Sequence, residues 1–201
     1  MFAKMDLNEL QDFLGGLAVA ISLPAYVIYI RNIFKGKTRP QMYSWLIWGT
    51  LASVGFLGQV SSNAGPGAWV TGVTALSCLL IFSLAIFKGA HDLAKLDKVL
   101  LSVAVVAVAI RIFTHSPLVS SVMATLAGLV GFNLTIKKAY QKPYEETAIS
   151  FALNGIKFFP ALFALNKTTV LTFAYPFCMM LANLSVVWVV LVRRRAVKHT
   201  G

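Results

Sequence analysis

Seven apolar stretches of membrane-crossing length, separated by short polar loops, run at about residues 13–33, 41–60, 68–87, 99–113, 117–136, 147–165 and 169–192. A stretch of roughly 20 apolar residues spans a bilayer as a helix, because only a helix satisfies its own backbone inside hydrocarbon. A chain that is 58% hydrophobic and only 12% charged has too little polar surface for a soluble domain, so it is expected to be an all-α, multi-pass membrane protein with the lipid bilayer as its main partner. The net charge of +11 does not argue for nucleic acid, since the basic residues form short clusters between apolar runs rather than one face of a soluble domain.

Those clusters fix an orientation. With seven spans, fourteen of the eighteen Lys and Arg residues fall on one side, in loops after spans one, three and five and after span seven. Only Lys4, Arg111 and Lys167 fall on the other, and the positive-inside rule then places the N-terminus extracytoplasmic and the C-terminus cytoplasmic, with the bacterial inner membrane as the expected location. The first twelve residues, MFAKMDLNELQD, lack a basic n-region and a cleavage site, and the closing RRRAVKHTG is expected to be a loose basic tail.

A shift of 106 residues lays span five on span one, six on two and seven on three without a gap. In that register Leu23 meets Leu129, Ile30 meets Ile136, Arg31 meets Lys137, Ser44 meets Ser150, Trp45 meets Phe151, Gly49 meets Gly155 and Lys88 meets Arg194. Two three-helix units in the same orientation need an odd linker helix between them. The expected organisation is an extracytoplasmic segment 1–12, repeat one at 13–88, a connector and linker helix at 89–116, repeat two at 117–195 and a tail at 196–201.

Lys157 is the one basic residue well inside an apolar run, about ten residues or roughly 15 Å in, where insertion costs a lysine about 2.5 to 3.5 kcal/mol. Ser150, Asn154 and Lys157 follow the i, i+4, i+7 spacing and share one helix face, which therefore needs something polar to meet. One reading is a bound carboxylate or phosphate, with Asn154 orienting it and Trp48 as a stacking wall. The other readings are an amine that snorkels, is held by carbonyls freed at Pro160, or is uncharged. Asn183 lies at a similar depth in span seven, its counterpart in span three is Ser77, and Ser77 and Thr74 are further candidates for ligand contact. Pro24 and Pro160 each leave a helical carbonyl without its donor, which makes both candidate gating hinges.

Enzymatic chemistry has no support. All seven carboxylates lie in loops or at span ends, His91, His115 and His199 lie outside the span interiors, and Cys78 and Cys178 show no ligand spacing. No catalytic residues, metal site, cofactor or proton relay are expected. The sequence allows a homo-oligomer.

The three-plus-one-plus-three plan, the first-span proline in SLPAYVIYIRN and the basic loop leading into an aromatic second span resemble the PQ-loop and SWEET-like transporter superfamily. The resemblance runs from about Phe13 to Arg195 and implies a divergent bacterial-type facilitator with a pocket between its repeats. In the family pattern the proline precedes a Gln, whereas Pro24 precedes Ala25 and the second unit has Val130 and Gly131. The last-helix Asn is present as Asn183 but replaced by Ser77 in the first unit, and Trp45 and Trp48 lie towards the inner end of their span, which points away from sugar. The expected function is facilitative transport of a small polar or anionic metabolite by alternating access. A receptor or accessory membrane protein on the same scaffold is the alternative.

Overall fold

A computed structural model describes residues 6–91, 95–113, 116–141, 143–144 and 146–198. The described residues form helices on all seven apolar runs and no strand. They are α1 (Leu7–Phe34), α2 (Met42–Ser61), a 3₁₀ turn (Gly65–Ala68), α3 (Trp69–Lys88), α4 (Lys95–Phe113), α5 (Pro117–Gln141), α6 (Ala148–Ile156), α7 (Phe158–Phe163) and α8 (Val170–Lys198). Expectations placed on Lys4, Asp92, His115, Lys142, Glu145 and His199 fall outside the described residues.

Four stretches are long and apolar enough to cross a membrane: Leu7–Phe34, Gly65–Lys88, Pro117–Gln141 and Val170–Val197. The other three runs are helical but differ in kind. The 20 residues of α2 are diluted by Ser, Thr, Gly and Gln, and α4 carries Lys95, Asp97, Lys98 and Arg111. The sixth run is broken into α6 and α7 by a single turn residue, Lys157, three positions before Pro160, whose ring removes the helical bond to the Ile156 carbonyl. Outward-facing side chains are apolar and large, among them Leu76, Phe87, Val105 and Trp188. Such a surface is compatible with an integral membrane protein.

Two boundaries differ from expectation. α1 starts at Leu7, because Asp6 and Glu9 form a capping box: the Glu9 amide donates to Asp6 Oδ1 at 2.7 Å and the Asp6 amide to Glu9 Oε2 at 3.0 Å. The segment expected to be a separate lead-in is thus largely the first turns of α1. At the other end the basic stretch is not loose as far as Lys198. It continues α8, with Arg193 stacked 4.1 Å over the Tyr140 ring and Arg194 donating to the Pro143 and Glu146 carbonyls.

Within the first three helices, α3 packs against both α1 and α2, while α1 and α2 share almost no contact. The same order holds later, where α8 packs against both α5 and α6. The two groups meet through α1 with α6 and through α2 with α5, and α4 lies against α2 and α5. Small residues are buried among the large ones in the clusters between the helices: Ala18, Ala52, Ala104, Ala124 and Ala161 are all essentially inaccessible. Without a hydrophobic driving force between helices in lipid, such close approach is what packing energy requires.

Candidate functional site

One end of the helices is sealed by backbone. The Gly67 amide donates to the Ala164 carbonyl, the Asn166 amide to the Ala64 carbonyl, and the buried Gln11 and Gln59 side chains donate to the carbonyls of Leu165 and Thr172. Gly15 lets α1 sit directly on Pro66, where an added Cβ would fall 2.8 Å from the proline carbonyl oxygen. This closed end carries the loops with few basic residues.

At the basic end, by contrast, a cavity of about 900 Å³ opens beside the exposed Lys37 and Arg39 and runs inward to Lys157. Its mouth is framed by main-chain contacts between the loop before α2 and the end of α3, including Ala90 N to Pro40 O at 2.8 Å and Met42 N to Ala90 O at 3.0 Å. Asp97 and Glu146 also border it near the mouth. Asp97 is buried, because it shares a face of α4 with Leu100 and Ala104 at the spacing of one and two turns.

Lys157 closes the inner end. Only 1% exposed, it points its Nζ at three neutral oxygens: Asn154 Oδ1 at 2.7 Å, Thr74 Oγ1 at 2.8 Å and Tyr26 Oη at 3.0 Å. The same nitrogen lies 4.8 Å from the Tyr26 ring centre and 5.0 Å from that of Phe158. The amine therefore neither snorkels to solvent nor rests on carbonyls freed at Pro160. It is gripped by α1, α3 and α6 together, and this is an arrangement of hydrogen bonds and ring faces suited to a cation.

The walls are aromatic. Trp48 stacks on Phe132 with ring centres 5.9 Å apart and 24° between planes, and Trp45 meets Trp48 edge-on at 5.4 Å and Tyr29 at 4.8 Å. Trp45, towards the inner end of its span, is buried in this wall. Asn183 borders the cavity with its Nδ2 donating to the Met179 carbonyl at 2.8 Å, close to Gly155.

The structure thus brings Trp48, Asn154, Lys157 and Asn183 together in one cavity, with Thr74 and Cys78 as the contribution of α3. Ser77, half-buried, is not part of the lining. Pro160 is buried just beyond the break at Lys157, whereas Pro24 is exposed on an α1 that remains helical through it. Tyr26 was not expected as a site residue, and its position gave one signal: shifted by 106 it meets Phe132, another cavity aromatic. Pro176, buried within α8 beside the cavity-lining Tyr175, is a further helix-interior proline that the expectation passed over. Comparison of the chain with protein-family models, curated proteins and solved structures gives no match.

Proposed function

We propose that this chain is a seven-helix facilitator that moves a small polar or anionic metabolite across a membrane by alternating access, with Lys157 as the anion-binding group. The observation that carries the reading is the cavity itself, open at the basic end, sealed by backbone hydrogen bonds at the other and ending on a buried lysine. A mostly apolar chamber with a few convergent polar groups is the ordinary make-up of a small-ligand site. By the positive-inside rule the open end is cytoplasmic and the sealed end, with the N-terminus, extracytoplasmic.

Several relationships support two parallel repeats around that cavity. Tyr26 and Phe132, Ser44 and Ser150, Trp48 and Asn154, and Leu51 and Lys157 are pairs related by the shift of 106, and every member lines the cavity. The third helix of each group is the central one, and the contacts of α1 with α6 and α2 with α5 exchange under the same shift. Even a carbonyl acceptor repeats: Pro40 O takes the Ala90 amide and Glu146 O takes Arg194 Nη2, at positions 106 apart. A site at the interface of two such repeats is where rocking of one against the other exposes it alternately. Rocking would break the seal between the 3₁₀ turn and the loop after α7 and close the mouth.

Counterflow tests the reading directly. Proteoliposomes preloaded with a mixed pool of unlabelled small organic acids, amino acids and nucleosides should transiently accumulate a labelled member of that pool from outside. Lack of accumulation for every labelled member, with protein shown to be folded and inserted, would overturn transport.

A further inference from the structure

Ser150 shares with Thr71 and Ser121 a state that most of the helical hydroxyls avoid. Ser53, Ser61, Thr74, Ser83, Ser102 and Ser185 each donate to the carbonyl four residues earlier, whereas the Ser150 Oγ is buried without a hydrogen-bond partner. Among the described side-chain atoms in that state, it is the one whose residue lines the cavity. A buried hydroxyl without a partner loses the hydrogen bonds it had in water, and because Ser150 lines the cavity, a turn about its Cα–Cβ bond that brings the covered Oγ to the wall would let a ligand restore one. It stands one helical turn nearer the mouth than Asn154, about 6 Å along α6.

We propose that the cavity selects an aromatic monocarboxylate with a polar para substituent, its carboxylate on Lys157 and Asn154, its ring against Trp48 and Phe132, and its para group on Ser150. This deepens the transport reading above and rests on it for its physiological meaning. The charge follows from the lining, where one lysine lies deep while Lys37 and Arg39 stay exposed at the mouth. A single ammonium balances one negative charge. Phosphate sites ordinarily use guanidinium forks or helix N-termini, and here the N-terminus of α6 is at the mouth. The ring follows from the Trp48 and Phe132 wall on α2 and α5, which offers π-faces that a flexible aliphatic acid would not use. The para group follows from the spacing, since one turn of α6 matches the distance between the two ends of a para-substituted benzene ring. On entry the carboxylate replaces Asn154 Oδ1 at Lys157 Nζ, and the Asn154 amide turns its Nδ2 donors to the same carboxylate.

Calorimetric titration of the detergent-purified chain with 4-hydroxybenzoate, benzoate, cyclohexanecarboxylate, 4-hydroxybenzamide and phenyl phosphate tests this. The expected order has 4-hydroxybenzoate about fivefold tighter than benzoate, a ratio that one neutral hydrogen bond supplies. Benzoate should in turn be tighter than cyclohexanecarboxylate, with no binding of the neutral amide. Ser150→Ala should bring 4-hydroxybenzoate down to the affinity of benzoate and leave benzoate unchanged. Equal binding of the cyclohexane acid, tighter binding of phenyl phosphate, or no binding in the series overturns the assignment, and these parent-protein outcomes decide it even if a variant fails to fold. Binding in the expected order without counterflow would instead overturn transport and leave the ligand class standing.

Discussion

The Gly67 amide donates to the Ala164 carbonyl at 3.0 Å across the closed end of the cavity. An added Cβ at Gly67 would lie 2.7 Å from the Ala161 carbonyl oxygen and 2.5 Å from Leu165 Cδ2, so this contact exists only because the residue has no side chain. Gly67→Val should force the seal apart and lower stability by about 1 to 3 kcal/mol, the usual range for overpacking. A cysteine placed at the fully buried Thr71, in a background without Cys78 and Cys178, should then become reachable by a thiol reagent from the closed side. Unchanged labelling would mean that this seal is not what closes that end.

Orientation is tested by the loops themselves. Asn63, in a left-handed turn with φ of 55°, and Asn166 both sit at the closed end, while Lys37 and Gln141 are exposed near the basic end. In intact cells a thiol introduced at Asn63 or Asn166 should react with an impermeant reagent, and one at Lys37 or Gln141 should not. The reverse pattern would invert the proposed topology.

Pro160 and Pro24 are both candidate hinges in very different settings. Pro160 is buried after the break at Lys157, so Pro160→Ala should let α6 and α7 join and slow exchange between open states more than it weakens ligand binding. Pro24→Ala, on the exposed face of a helix that already runs unbroken, should slow exchange less. Single-turnover transport beside equilibrium binding separates rate from affinity. Full transport rates in both variants would reduce the prolines to packing features.

The contact between α2 and α5 depends on a missing side chain. A Cβ at Gly58 would collide with Ser121 Oγ, itself buried without a partner. Gly58→Ala should lower the melting temperature, with a cost of about 1 to 3 kcal/mol. Adding Ser121→Ala removes the colliding atom and should restore most of the loss, since its own Cβ would stand 3.3 Å from the new methyl. Additive losses in the double-mutant cycle would show that the two positions do not couple.

The positions of the helices were legible because hydrophobic runs and basic loops alternate, and both signals are local. The start of α1 at Leu7 was also legible in principle, since Asp6 and Glu9 stand at the spacing of a capping box. What the sequence withheld was contact across helices. The polar stripe of Ser150, Asn154 and Lys157 can be read from periodicity on one helix, but Tyr26 and Thr74 reach Lys157 from α1 and α3, and no periodicity in either names a partner. Ser77 and Cys78 show the same limit. Neighbours in sequence on α3, they point about 100° apart, and only packing decides that Cys78 borders the cavity.

Lys157 carries the last and sharpest test. Its Nζ gives hydrogen bonds to Tyr26, Thr74 and Asn154, and none of these partners is charged. Lys157→Met keeps the length and most of the volume of the side chain, so Phe158 and the Tyr26 ring retain their packing. Two stability effects then oppose each other: hydrogen bonds to a charged group, worth about 1.5 to 3 kcal/mol each, are lost, while the burden of burying an ammonium is lifted. Folded protein should therefore be recovered at near-normal yield. Uptake of an anionic substrate has no such compensation, because nothing else deep in the lining can balance its charge, and it should fall to background. If the Met variant transports as well as the parent, or gains stability while keeping the full ligand-induced thermal shift, then Lys157 is a structural lysine and the anion site lies elsewhere.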